Sequence, residues 1–245
     1  MKRILVVTPT YPPEENSSAF VVGTMAKYFE RAGWEVSVLT GREPLPEKPG
    51  GAPDDSRVHS FDAPSIRSYP AVLRPLLRWK FGTSPYRASA LWKDNLSRAL
   101  RELVKRESFE VILGINASTP AVIAAMAELP ADAARAVWYI DPWYLGVQES
   151  VRDRVRGRFW AEAEARFLRN LDAVLLNSDD LADTFRAAMP DIAERCHPFY
   201  CGYDPDMIGD TSAPTDPGAL CVAYYGRVRP EEVRALTLLI RAIAV

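Results

Sequence analysis

Hydrophobic and polar positions along the chain follow two alternating periods. Ile4-Leu5-Val6-Val7 is an unbroken aliphatic run, the pattern of a strand buried on both faces of a parallel sheet. Thr8-Pro9-Thr10-Tyr11-Pro12-Pro13 ends it, because proline has no amide proton to offer a ladder or a helix interior. Val22, Met25, Ala26 and Phe29 then recur at helical spacing. Asn16, Ser17 and Ser18 stand where capping residues belong, and Gly33 closes the helix. Residues 34–40 alternate as a second strand. A strand–helix–strand unit of this kind predicts a parallel sheet covered by helices.

The alternation continues. Residues 41–56, rich in Pro, Gly and Asp, read as a loop, and 58–61 as a short strand. Leu96, Ala99, Leu100, Leu103 and Val104 mark a helix, 111–115 a strand and 120–129 a mostly helical stretch. Residues 136–140 form another strand, and a long helix runs through Trp160, Ala163, Phe167 and Leu168. A strand at 173–176 and a helix from about 180 to 189 complete a doubly wound, Rossmann-like α/β domain over 1–209. Residues 210–218, rich in Thr, Ser, Pro and Asp, read as a linker. One further strand–helix unit at 219–245 begins a second domain and does not complete it, since a lone unit cannot bury both its faces.

Composition narrows the function. In 245 residues, 30 Lys and Arg face 32 Asp and Glu, a net charge of −2 that gives no support for nucleic-acid binding. No apolar run approaches the roughly 20 residues of a membrane-spanning helix, and the N-terminus is too short in apolar residues for a signal peptide. The chain therefore reads as cytoplasmic. Cys196, Cys201 and Cys221 have no zinc-ligand spacing, so they are expected as reduced thiols in or near a core. No G-x-G-x-x-G follows the first strand, which argues against a dinucleotide enzyme.

Four stretches, in this order, carry a resemblance. They are Ile4–Glu14 with Ala32–Thr40, Trp138-Tyr139-Ile140-Asp141-Pro142-Trp143, Asp172-Ala173-Val174-Leu175-Leu176-Asn177-Ser178, and Cys201-Gly202-Tyr203-Asp204 followed by Tyr225-Gly226-Arg227. In them the chain resembles the GT4-type retaining glycosyltransferases, which have the two-domain GT-B fold. The resemblance implies the N-terminal, acceptor-side domain and the start of the C-terminal, nucleotide-sugar-binding domain. It also implies transfer of a sugar, with retention, from a nucleotide-sugar donor to a hydroxyl acceptor, in cell-surface polysaccharide or glycolipid synthesis. No catalytic metal and no other cofactor are expected. This polypeptide alone is expected to be inactive, because the carboxylates that hold the donor ribose and sugar would lie beyond Val245. A reading from another class is a non-catalytic module that binds a glycan, lipid or protein.

The candidate site residues follow from strand ends. The loop before the first helix joins a strand's carboxyl end to a helix N-terminus, geometry that suits a phosphate. The family carries a Gly-Gly pair there, and this chain has Asn16-Ser17-Ser18, which either contact the donor phosphates or only cap the helix. Arg227 corresponds to the family's diphosphate-binding arginine, and its forked donors suit that task. Asp141 ends a strand where ligands are met, and either orients an acceptor hydroxyl or closes an Asx turn. Trp143 and Tyr144 are candidates to pack on a sugar or lipid. Asn116, Ser118 and Thr119 either hydrogen-bond the acceptor or cap the next helix. The family's histidine near this region is missing; His59 and His197 lie elsewhere and read as structural. Between 66 and 93 lie Arg67, Arg74, Arg78, Lys80, Arg87 and Lys93 with no acidic residue, interleaved with Leu and aromatic residues. That mixture is either a peripheral contact with the inner membrane face or a solvated helical excursion.

Overall fold

The structure, a computed structural model, describes residues 2–14, 16–42, 57–64, 66–81, 91–117, 120–130, 132–141, 162–207, 237–238 and 241. The expected linker at 210–218, strand at 220–225 and helix at 231–245 fall mostly or wholly outside the described residues. The chain divides into two compact units, Met1–Tyr203 and Asp204–Val245. In the second, Asp204 is buried and its carboxylate accepts from the Asp206 amide at 3.1 Å, starting a 3-10 turn over Pro205–Met207.

The first unit is built on a seven-stranded sheet, every pair parallel. Its strands are β1 (Lys2–Thr8), β2 (Trp34–Arg42), β3 (Val58–Asp62), β4 (Val111–Ala117), β5 (Ala134–Asp141), β6 (Ala173–Leu176) and β7 (Cys196–Pro198). Their spatial order is β3-β2-β1-β4-β5-β6-β7. Helices follow the strands: α1 (Ser17–Arg31), α2 (Arg74–Phe81), α3 (Lys93–Arg106), α4 (Pro120–Ala127), α5 (162–168) and α6 (Asp179–Ala188). The predicted doubly wound α/β class is thus the observed one, and six of the seven strands stand where the hydrophobic pattern predicts them. β7 leaves no hydrophobic pattern because only three residues pair there, too few for a period to show.

The pleat sorts the core into two. Ile4 and Val6 point to one face with Val36, Val38, Leu113, Ile115 and Trp138, where Val22 and Ala26 of α1 cover them. Leu5 and Val7 point to the other with Leu39, Ile112, Val137, Tyr139, Val174 and Leu176, under α3, α4, α5 and α6. Each fully buried aliphatic side chain of this kind contributes about 1.5–3 kcal/mol.

Two glycines are required by geometry. Gly33, just past α1, has φ 85°, the left-handed conformation that ends a helix, and its amide bonds the Glu30 carbonyl at 2.9 Å. Gly114 in β4 faces α4 so closely that a Cβ would meet Val122 Cγ1 at 2.9 Å and Met126 Cγ at 3.4 Å. Val122 and Met126 are fully buried and cannot swing away. Gly114→Ala should therefore lower unfolding stability by about 1–3 kcal/mol in urea titration, the usual effect of overpacking.

The amino ends of the strands are tied by Arg3. Its guanidinium bonds Glu107 at 2.6 Å, Glu35 at 3.2 Å and the Ser108 carbonyl at 3.0 Å, and lies over the Phe109 ring. Its amide donates to Glu110, which holds that carboxyl below the usual range. His59 lies 3.7 Å from Glu107. Of the cysteines, Cys196 is buried, and burial raises its thiol pKa; Cys201 is exposed, away from the expected core.

Candidate functional site at the carboxyl ends of the central strands

The strand order reverses at β1: the chain first builds outward through β2 and β3, then returns to place β4 on the other edge. In an open parallel sheet such a reversal leaves a crevice beyond the carboxyl ends of the two central strands, where ligands are met. Here those ends are Thr8 of β1 and Asn116–Ala117 of β4, with Asp141 of β5 in register beside Ala117.

The β1–α1 loop is held by short-range hydrogen bonds. The buried Thr8 hydroxyl donates to the Thr10 carbonyl at 2.9 Å and accepts from the Thr10 amide at 3.4 Å. The Glu14 amide closes a turn on Tyr11 at 3.2 Å. Pro12 packs on α1, where Gly23 admits it: a Cβ at Gly23 would lie 2.8 Å from Pro12 Cγ. Asn16 then caps α1, its Oδ1 accepting from the Ala19 amide at 2.8 Å, while its Nδ2 donates to Glu14 Oε2 at 3.1 Å. Ser17 and Ser18 open the first turn, Ser17 exposed and Ser18 half-buried. So Asn16 does cap, and the Glu14 carboxylate stands beside the same helix end.

The β4–β5 side carries a bulge. Asn116 pairs with Tyr139 and Ala117 with Asp141, so Ile140 is out of register. The Ile140 carbonyl accepts from Nδ2 of Asn177, the residue just after β6. Next to it, Ser178 caps α6 by accepting from the Leu181 amide at 3.2 Å. At the start of that stretch Asp172 Oδ2 accepts from the Arg135 amide at 2.8 Å. The motif Asp172–Ser178 thus pins β6 to β5 at both ends.

Two aromatic residues anchor the last turn of β5 from opposite faces. Trp138 Nε1 donates to the Phe199 carbonyl at 3.0 Å, with the two rings edge to face. The Tyr139 hydroxyl donates to Glu164 Oε1 at 2.7 Å. Glu164 is a completely buried carboxylate on α5. Its position four residues after Trp160 and four before Leu168 puts a carboxylate in the apolar stripe of the sequence there, the one local signal of this pair.

Of the candidate residues, Asn16, Ser17 and Ser18 lie at the α1 end of the crevice, and the backbones of Asn116 and Asp141 lie at its β4 and β5 rims. Ser118, Thr119, Trp143, Tyr144 and Arg227 lie outside the described residues, as do the side chains of Asn116 and Asp141. Among the described residues no group of three or more His, Cys, Asp or Glu could hold a metal ion. A cavity of about 180 Å³ lies elsewhere, under α1 against β2 and β3, lined by Tyr11, Lys27, Glu30 and Arg57 among others.

Residues 18–202 match the family described as "Glycosyl transferase 4-like domain". The chain belongs to this family. A comparison with curated protein sequences finds no match. Among solved structures, the glycosyl transferase 4-like chain is similar to a UDP-forming α,α-trehalose-phosphate synthase from Burkholderia vietnamiensis. The two are 14% identical with a TM-score of 0.52, covering 84% of this chain and 50% of that one. It is also similar to a UGT transferase from Siraitia grosvenorii in complex with UDP, at 14% identity and TM-score 0.45, covering 82% of this chain and 48% of that one. The chain spans about half the length of these structures. At these identities the likeness is one of fold, the Rossmann-like α/β architecture of GT-B glycosyltransferases.

The Asn16 cap can be tested by stability. Asn16→Ala should cost about 1 kcal/mol of stability in urea titration, whereas Asn16→Asp keeps the capping oxygen and should fall within a few tenths of wild type. A larger loss for the aspartate would show that the Glu14 carboxylate, not the cap, governs this loop. At β5, Glu164→Ala removes an acceptor of the buried Tyr139 hydroxyl and should cost about 1–3 kcal/mol, with Glu164→Gln less damaging because it keeps an acceptor.

Proposed function

We propose that the protein contributes the acceptor side of a glycosyltransferase that moves a sugar from a nucleotide-sugar donor to a hydroxyl acceptor, with retention. The observation that carries this reading is the crevice at the β1/β4 reversal in a chain belonging to the glycosyl transferase 4-like family. Residues 1–209 form the acceptor domain, and 219–245 begin the donor domain. The solved relative from Burkholderia vietnamiensis is named as UDP-forming, so a uridine diphosphate sugar is the donor class to test first. Cell-surface polysaccharide or glycolipid precursors are the acceptor class, met at the cytoplasmic side.

In this reading the amino end of α1, with Ser17 and Ser18, lies against the donor diphosphate, and Asn16 shapes the loop as its cap. Arg227 adds a fork to the same phosphates. The Asp141 carboxylate orients the acceptor hydroxyl and draws its proton. Asn116, Ser118 and Thr119 hydrogen-bond the acceptor, and Trp143 and Tyr144 pack on its sugar or lipid face. The Tyr139–Glu164 and Asn177–Ile140 contacts hold the β5 end still while this happens, and positioning of that kind supplies much of the effect of an oriented reactant.

The test is transfer of labelled sugar from UDP-sugars to polyprenyl-linked or polysaccharide acceptors by the protein in its full reading frame. Product with the donor's anomeric configuration is expected, and an inverted product would overturn retention. Asp141→Asn should lower kcat about 10²- to 10⁴-fold, the range of a lost general base, with donor affinity unchanged. Unchanged turnover would remove Asp141 from the mechanism.

A further inference from the structure

We propose that Phe199 and Tyr200 are positioning residues: together they clamp the end of β5 and the β6–α6 turn, and so hold the rim that carries Asp141. The two residues directly follow β7, in the stretch that leads to the second unit at Asp204.

Each reaches a different element. The Phe199 amide donates to the carbonyl of Leu176, the last residue of β6, at 2.6 Å. The Phe199 carbonyl accepts from Trp138 Nε1 at 3.0 Å, and its ring meets the indole edge to face with centroids 5.3 Å apart. Aromatic pairs in this geometry contribute beyond the area they bury. Tyr200 reaches sideways instead. Its hydroxyl donates to Oδ2 of Asp179, the first residue of α6. That hydrogen bond raises the Tyr200 pKa above the usual tyrosine value, so the hydroxyl keeps its proton and stays a donor at neutral pH.

The Asp179 end of this contact is joined to the rim. Asp179 follows Ser178, which caps α6, and Asn177, whose Nδ2 donates to the Ile140 carbonyl. Ile140 is the residue out of register beside Asp141. The rim is thus gripped at two points: through Trp138, three residues before Asp141, and through Ile140, immediately before it. The bulge interrupts the ladder there, so side-chain bonds do what regular pairing does along the rest of the strand. Phe199 is 40% and Tyr200 57% exposed, so neither is needed to fill the core. After them the chain runs in the open: nothing lies within 4 Å of where a Cβ on Gly202 would be, and Tyr203 is 73% exposed.

The inference rests on the sugar-transfer reading for its effect on turnover, while the clamp itself is read without it. The readout is hydrogen exchange of the protein in its full reading frame, followed by mass spectrometry. Phe199→Leu with Tyr200→Phe should speed exchange over 138–141 about tenfold and leave β1 unchanged. Tyr200→Phe and Asp179→Ala should each speed it about threefold, and the pair together no more than either, because both remove one bond. Asp179→Asn keeps an acceptor oxygen and should stay near wild type. In the transfer assay the Phe199→Leu, Tyr200→Phe variant should lose about tenfold in kcat with the donor KM within about twofold, as misplacement of a reacting group does. Unchanged exchange over 138–141 in that variant would overturn the proposal. So would equal acceleration throughout the sheet, which marks a general loss of stability, or faster exchange at the rim with kcat unchanged. A wild-type protein that transfers no sugar would count against the sugar-transfer reading alone, and exchange would still decide the clamp.

Discussion

Ile4, Leu5, Val6 and Val7 have no side that faces water: β2 and β4 take both edges of β1, and the two core clusters take both faces. A strand enclosed in this way must be apolar at successive positions, and it must sit in the middle of the sheet. Once it does, the remaining chain has to build outward from it in two directions. Parallel pairing then forces every strand to end on the same side, so the crevice at the carboxyl ends is a consequence of how β1 is buried. The opposite side of the sheet is free for purely structural work, and Arg3 with its carboxylate partners performs it.

The same logic explains what could be read from the residues. The aliphatic runs of β1, β4 and β6 and the stripe Leu96-Leu100-Leu103 announce themselves, because burial on a period leaves a periodic signal. Observed bounds differ from the expected ones by a few residues: α3 spans Lys93–Arg106 around its apolar core, and β2 runs on through Gly41 and Arg42, where the composition predicts a loop. Gly41 fits there because the Pro9 carbonyl lies 2.8 Å from where its Cβ would be. The site was less legible. The residue type of Asn16 marks the start of α1, but its tie to Glu14 is a matter of side-chain geometry that no period encodes. The Ile140 bulge and its bond from Asn177 join residues 37 positions apart, and the Tyr139–Glu164 pair joins residues 25 apart. Contacts of that range leave no local trace.

Asn16 and the two serines that open α1 sharpen the comparison with the resembling family. Glycines would let a ligand approach the bare backbone; here Asn16 fills that position and spends its oxygen on the Ala19 amide. The loop is instead thinned from beneath, where Gly23 lets Pro12 settle onto the helix. Close approach is thus achieved between loop and helix, one layer below the surface that a donor would meet.

The two outermost strands carry a different consequence. β3 has five residues and β7 only three, the last of them Pro198, which has no amide hydrogen. Unpaired strand edges are templates on which other chains can grow a sheet, and short or proline-bearing edges are how proteins blunt them. The sheet therefore offers little hold for another strand at either side. Changes in the loops above the crevice can accumulate without the sheet beneath them becoming a seed for aggregation.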